Sequence, residues 1–201
     1  MSFRLFGVNV EIQMGFWINA LLIGFVSTGG GSNIPLLALW VVIVLVSILV
    51  HEFGHALAIL RHGIEPEIAL HWMGGSTTWR QTLPLTRPQR VIISVAGPLA
   101  GFILAGLVFG FTYFFPTAYH RLPSLAIQAF RLLVYVNLFW GVFNLIPVLP
   151  LDGGHILEHA LGPKRVRLTA LISLIIAVAC GAVFLFMQAY FAAFIFALSA
   201  F

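Results

Sequence analysis

The sequence predicts an all-α polytopic membrane protein of about six transmembrane helices, with a short N-terminal strand and a β-hairpin that re-enters the membrane. Three observations carry that expectation. Of 201 residues, 61% are hydrophobic and only 8% are charged, against about 25% charge in soluble domains. Mean hydropathy is +1.05 and Phe alone occurs 19 times, so polar groups are too few to cover a water-facing surface and apolar residues must face lipid. At roughly 20 residues per span, and about 70 residues for loops and polar motifs, the length accommodates five or six helices and no separate soluble domain. A single membrane domain over 1–201 is expected, its core at about 34–162 and C-terminal helices over 163–201.

From Arg4 to Ile12 the even positions are largely apolar, and Gly7, Asn9 and Glu11 fall on the other face, which reads as one short amphipathic strand. Glu11 stands where a signal peptide would be basic, and no small-x-small cleavage site follows the first apolar run, 14–26. That run is therefore expected to be retained. It ends in a glycine-rich, uncharged turn over Ser27–Asn33. The second run, 34–60, is lipid-compatible except for His51, Glu52 and His55, and ionisable groups at that depth are functional candidates by default. Residues 61–90 are more polar. Ile68–Trp72 and Ser76–Trp79 read as two strands around a Gly74-Gly75 turn, a hairpin that a membrane admits only where protein or water lines it. Helices follow at about 89–115, 124–146 and 165–186. The segment 188–201 is apolar but short, a partial sixth span or the stub of a longer chain.

The net charge of +4 comes from ten scattered cations that make no basic patch, so no nucleic-acid partner is expected. Their sidedness is informative. Arg4, Arg61, Arg80, Arg87, Arg90, Lys164, Arg165 and Arg167 share one side and Arg121 and Arg131 the other, which predicts a cytoplasmic amino end and a site nearer the cytoplasmic face. The single Cys180 excludes an internal disulfide and a cysteine-rich zinc cluster. A metal here needs His and carboxylate ligands.

His51-Glu52-Phe53-Gly54-His55 supplies such ligands. A four-residue helical step turns about 400°, so both imidazoles reach one face and can share one metal. Glu52, one position round, can reach a water on that metal and take its proton, the division of labour in zinc peptidases. A catalytic zinc wants a third protein ligand. Glu11, Glu65, Glu67 and Glu158 sit in loops or at interfaces, which leaves Asp152. It follows Asn144-Leu-Ile-Pro147-Val-Leu-Pro150-Leu, where two prolines and then Gly153-Gly154 must break the helix and let a short side chain turn inward. Locally, Asp152 could instead be a helix-capping residue.

The H-E-F-G-H helix, Ala96-Gly97-Pro98-Leu99-Ala100-Gly101 at the opening of the third long helix, and F-N-L-I-P-V-L-P-L-D-G-G from Phe143 together resemble the site-2 protease family of intramembrane zinc metalloproteases. The resemblance spans about residues 3–162, in a compact form without a PDZ or CBS domain. It implies one zinc per chain on His51, His55 and Asp152, with Glu52 as general base. It implies that Asn144 stabilises the oxyanion or positions substrate. Trp72, Met73, Gly74, Gly75, Ser76, Thr77 and Thr78 would form a re-entrant hairpin whose edge pairs with an unwound substrate segment.

The implied activity is hydrolysis of a peptide bond within or near a transmembrane segment of a membrane-protein substrate in the lipid bilayer. Two other readings stay open: a divalent-metal transporter, since buried His and Asp also mark ion paths, and a catalytically inactive membrane scaffold. Glu52 and the lack of an internal repeat separate the first from a peptidase. The intact set of four core residues argues against the second. His155 reads as an interfacial residue, and His62, His71, His120 and His159 as interfacial or loop residues. Gly97 and Gly101 read as a helix-packing pair, G-x-x-x-G.

Overall fold

The computed structural model describes residues 1–30, 33–80, 84–188 and Phe196. Contacts group the chain into two compact units, one of residues 1–84 and 96–141, the other of residues 85–95 and 142–201.

The first unit opens with a four-stranded sheet, β1 (Ser2–Leu5), β2 (Val8–Ile12), β3 (Pro66–His71) and β4 (Gly74–Trp79), in that order. β1–β2 and β3–β4 are antiparallel and β2–β3 parallel. The single strand expected over Arg4–Ile12 is thus a hairpin. Phe6 and Gly7 both take positive φ, 49° and 84°, the pair of left-handed conformations that a tight two-residue turn requires. Alternating polarity runs through such a turn unbroken, and Phe at its first position gives no turn signal.

In β2, Val8, Val10 and Ile12 are buried while Asn9 and Glu11 are exposed. Val10 pairs with Ile68 and Ile12 with Leu70, so the two strands share an apolar face. That face packs with Phe16 and Ala20 of α1 (Met14–Ser27) and with Ile48 and Ala56 of α2 (Ile34–Leu60). Helix α2 starts where the Asn33 side chain accepts a hydrogen bond from Leu36 N at 3.1 Å and Pro35 sits in the first turn, both standard start devices. The unit also holds most of α3 (Arg87–Phe114), the short α4 (Pro116–His120) and most of α5 (Ser124–Asn144). The Ala96–Gly101 motif lies well inside α3 rather than at its opening, because the helix already begins at Arg87.

The second unit joins the start of α3 and the end of α5 to α6 (Asp152–Leu161), a 3-10 turn (Pro163–Arg165) and α7 (Val166–Phe186). Phe143, Val148, Ala177 and Phe196 form its apolar core.

Four helical segments among the described residues are long and apolar enough to cross a bilayer: Ile34–Leu60, Arg87–Phe114, Ser124–Asn144 and Pro163–Phe186. Leu107, Phe109, Ile175 and Val178 on these helices are more than half exposed, as lipid-facing side chains are. Helix α1 is apolar but has 14 residues, about 21 Å against a hydrocarbon core of about 30 Å. The expected sixth segment, 188–201, lies almost wholly outside the described residues.

Candidate active site

His51 and His55 are one turn apart on α2, both buried, with their Nε2 atoms 3.2 Å apart. Two nitrogens bound tetrahedrally to one zinc at about 2.1 Å are separated by about 3.4 Å, so the pair fits a shared metal. Glu52 is also buried, 4% exposed. Three buried ionisable side chains within five residues need a compensating partner, which a divalent cation provides.

Strand β4 lies directly against Glu52. The Thr77 hydroxyl donates to Glu52 Oε2 at 2.7 Å, a short, well-formed O–H···O hydrogen bond. A Cβ added to Gly75 would fall 2.6 Å from Glu52 Cγ and 2.7 Å from Cδ, so only glycine allows this approach. The sheet register explains the choice: Thr77 pairs with Ile68 and Gly75 with Leu70, residues of the buried face. Ser76 and Thr78, opposite Ala69 and Glu67, alternate to the other face.

The chain reverses at Trp72-Met73 rather than at Gly74-Gly75, which already begin β4. The Trp72 carbonyl accepts from Asn19 Nδ2 at 2.7 Å, and Met73 N donates to His71 Nδ1 at 3.3 Å. Gly74 has φ 126°, and a Cβ there would meet Trp140 Cζ2 at 2.7 Å. Its glycine serves a positive φ and a close approach, not the turn itself.

The opposite flank is equally tight. A Cβ on Gly97 would overlap the His55 ring, 2.5 Å from Cε1, and one on Gly54 would strike the Ala96 carbonyl and lie 2.9 Å from Ala100 Cβ. Gly97 therefore packs helices, as G-x-x-x-G predicts, and seats His55 at the same time. Nearby, buried Asn137 of α5 donates to Ser47 Oγ of α2 at 2.9 Å and to Leu133 O at 2.8 Å. This pair, one turn before His51, went unnoticed in the sequence. A carboxamide inside an apolar span was the available signal.

In the second unit, Asn144 is the buried last residue of α5. Asp152 is half-buried at the first position of α6. Leu151 holds the capping position, without a side-chain cap bond. Asp152 therefore does not occupy the cap, but its carboxylate in the first turn suits the helix dipole. A Cβ on Gly153 would lie 2.5 Å from the Ile146 carbonyl oxygen, and one on Gly154 would lie 2.5 Å from Leu149 N. The first turn of α6 thus rests on the preceding loop, and Leu149 N donates to Ser173 Oγ of α7 at 2.9 Å. His155, Glu158 and His159 project from α6, which had been read as interface and loop. Burial, opposed by the Glu158 charge and reinforced by His155 and Arg90, lowers the His159 pKa.

A buried H-E-x-x-H helix in a chain with four bilayer-length helices defines a multi-pass integral membrane protein with a peptidase-type metal helix. Residues 39–124 and 118–188 match peptidase family M50, and the chain belongs to that family. It is 29% identical over 162 residues to a zinc metalloprotease of Methanocaldococcus jannaschii, an alignment covering 81% of this chain and 45% of that protein. It is 30% identical over 161 residues to Rip3 of Mycobacterium tuberculosis, covering 76% and 40%. The chain thus spans less than half the length of these curated relatives. The solved structure of the site-2 protease from Methanocaldococcus jannaschii aligns with a TM-score of 0.69 at 25% identity, covering 100% of this chain and 91% of that one. The resemblance drawn from the three motifs is borne out.

Proposed function

We propose that this chain is an intramembrane zinc metalloendopeptidase that hydrolyses a peptide bond within or near a transmembrane segment of another membrane protein, the chemistry of regulated intramembrane proteolysis. The observation that carries the reading is the buried Glu52 carboxylate, held by Thr77 beside two imidazole nitrogens 3.2 Å apart. Ion transport does not require a general base beside the metal ligands, whereas peptide hydrolysis does.

His51, His55 and Asp152 would hold one zinc per chain. When bound, zinc supplies Lewis acidity toward the scissile carbonyl and makes water a nucleophile near neutral pH. Glu52 accepts the proton of the attacking water and returns it to the departing amide nitrogen. Thr77, bonded to one carboxylate oxygen, leaves the other to the water. Asn144 donates to the oxygen that gains charge. An unwound substrate exposes N–H and C=O groups, each costing several kcal/mol in hydrocarbon, and the outer edge of β4 offers partners to them. On this reading Trp72–Thr78 belong to a hairpin that re-enters the membrane. About six crossings in all are expected on this reading, with the short α1 counted among them.

Purified full-length protein in detergent should cleave single-span membrane proteins and stop when zinc is chelated. A span carrying Gly, Pro or Asn near the scissile bond should be cut faster than an all-Leu span, since less helix must be undone. No cleavage of any single-span protein by the zinc-loaded chain, or equal rates across the paired spans, would remove respectively the activity or the unwinding account.

The eight-to-two partition of cations supports a cytoplasmic amino end and a cytoplasmic segment leading into α3, with the active site nearer that face. A tag at residue 1 should be protected from membrane-impermeant reagent in intact cells. Labelling before permeabilisation would reverse the orientation.

A further inference from the structure

We propose that His155, Glu158 and His159, on one face of α6, form a second metal site, built from none of the H-E-x-x-H residues and suited to a borderline divalent ion such as Zn2+. Positions i, i+3 and i+4 turn about 300° and 400°, which gathers the three side chains within an arc of about 100°. One ligand atom from each lies within 4.8 Å of the other two. His155 Nδ1 and Glu158 Oε2 are 3.4 Å apart, about the edge of a tetrahedral zinc site. The His155 and His159 rings stand nearly parallel, 21° between planes and 6.2 Å between centroids, so small rotations bring both nitrogens onto one ion.

Two imidazoles and one carboxylate select zinc, nickel or copper over magnesium or calcium. The His155 and Glu158 side chains are 44% and 38% exposed, which leaves the fourth position to water. A plain ion pair between them contributes little at such exposure and gives no role to His159. Burial favours the neutral His159 ring, the form that binds metal. The Arg90 charge that also acts on His159 opposes a cation, so this site fills after the first. Once filled, it ties successive turns of α6, the helix that begins at Asp152, into one rigid piece. Excess metal would then stiffen the peptide segment that carries Asp152.

The test is calorimetric titration of Zn2+ into the full chain, purified without a polyhistidine tag and already loaded with one equivalent. A second, weaker equivalent is expected in the wild type and in Glu52→Gln, and His55→Ala, titrated from the metal-free form, should bind one equivalent with that weaker affinity. In both His159→Ala and Glu158→Gln that equivalent should weaken by about tenfold or more, while the first stays. Glu158→Gln preserves size and helix propensity, so retention of its first equivalent shows that the fold survives. A single equivalent in the wild type, an unchanged second equivalent in either α6 variant, or no binding to metal-free His55→Ala would overturn the site. The site stands apart from the peptidase reading and would survive its failure.

Discussion

Glu52→Gln should yield a folded, zinc-loaded protein whose turnover has fallen by about 10²–10⁴-fold, the usual contribution of a positioned general base. Gln keeps the length of the side chain and an oxygen that can still accept from Thr77, which sits 2.7 Å from the native carboxylate. What it loses is the capacity to take a proton. Because the packing of Gly75 against this side chain is nearly contact-limited, an isosteric replacement is the appropriate one, and Ala would confound chemistry with a cavity. The measurement is cleavage rate at saturating substrate, alongside zinc content of the same preparation. Near wild-type cleavage by Glu52→Gln would assign the proton transfer elsewhere.

Asp152→Ala is expected to lose both zinc and cleavage, and His55→Ala to do the same. The two substitutions test assignments of different origin. His55 is tied to His51 by a 3.2 Å approach of ring nitrogens on one helix, whereas Asp152 was reached by eliminating the other carboxylates of a chain with six acidic residues. Removing one of three ligands leaves two protein donors, too few for a closed tetrahedral set with a single open position. Metal analysis after dialysis should therefore give about one zinc for wild type and Glu52→Gln, and none for Asp152→Ala or His55→Ala. An Asp152→Ala protein that keeps its zinc and its activity would falsify the third ligand while leaving the H-E-x-x-H pair intact.

The long helices were legible because lipid exposure imposes a plain rule on their composition. The run read as 34–60 is helix α2 residue for residue, and the three ionisable side chains that marked it as a candidate site are all buried there. The fine architecture of the sheet was not legible. Positive φ at Phe6 leaves no trace in residue type, so one amphipathic strand and a tight hairpin look alike. The Gly74-Gly75 pair attracted the turn because glycine usually marks one, yet both glycines answer to large neighbours, Trp140 and Glu52. Thr77 was grouped with its hairpin neighbours, and only the register with Ile68 singles it out as the residue turned toward Glu52. Helix α6 was hidden by two glycines that discourage helix in isolation. Their close approach to the 145–149 backbone is tertiary information. The His155-Glu158-His159 grouping was missed for the same reason, since spacing matters only once the segment is helical.

The glycines at 54, 75 and 97 bear on what it would take to transplant this chemistry. Each lies where a single methyl group would collide with the Ala96 carbonyl, the Glu52 carboxyl or the His55 ring, so the proposed base and zinc ligand are indexed to bare backbone on two flanks. A designer who copied the five residues of the H-E-x-x-H helix into another helical protein would carry over the donors and leave behind the walls that aim them. The smallest portable unit is instead helix α2 with the Gly97 turn of α3 and strand β4, three pieces that are not contiguous in sequence. Most of the information that makes the motif a site is thus written in positions that contribute no functional group at all.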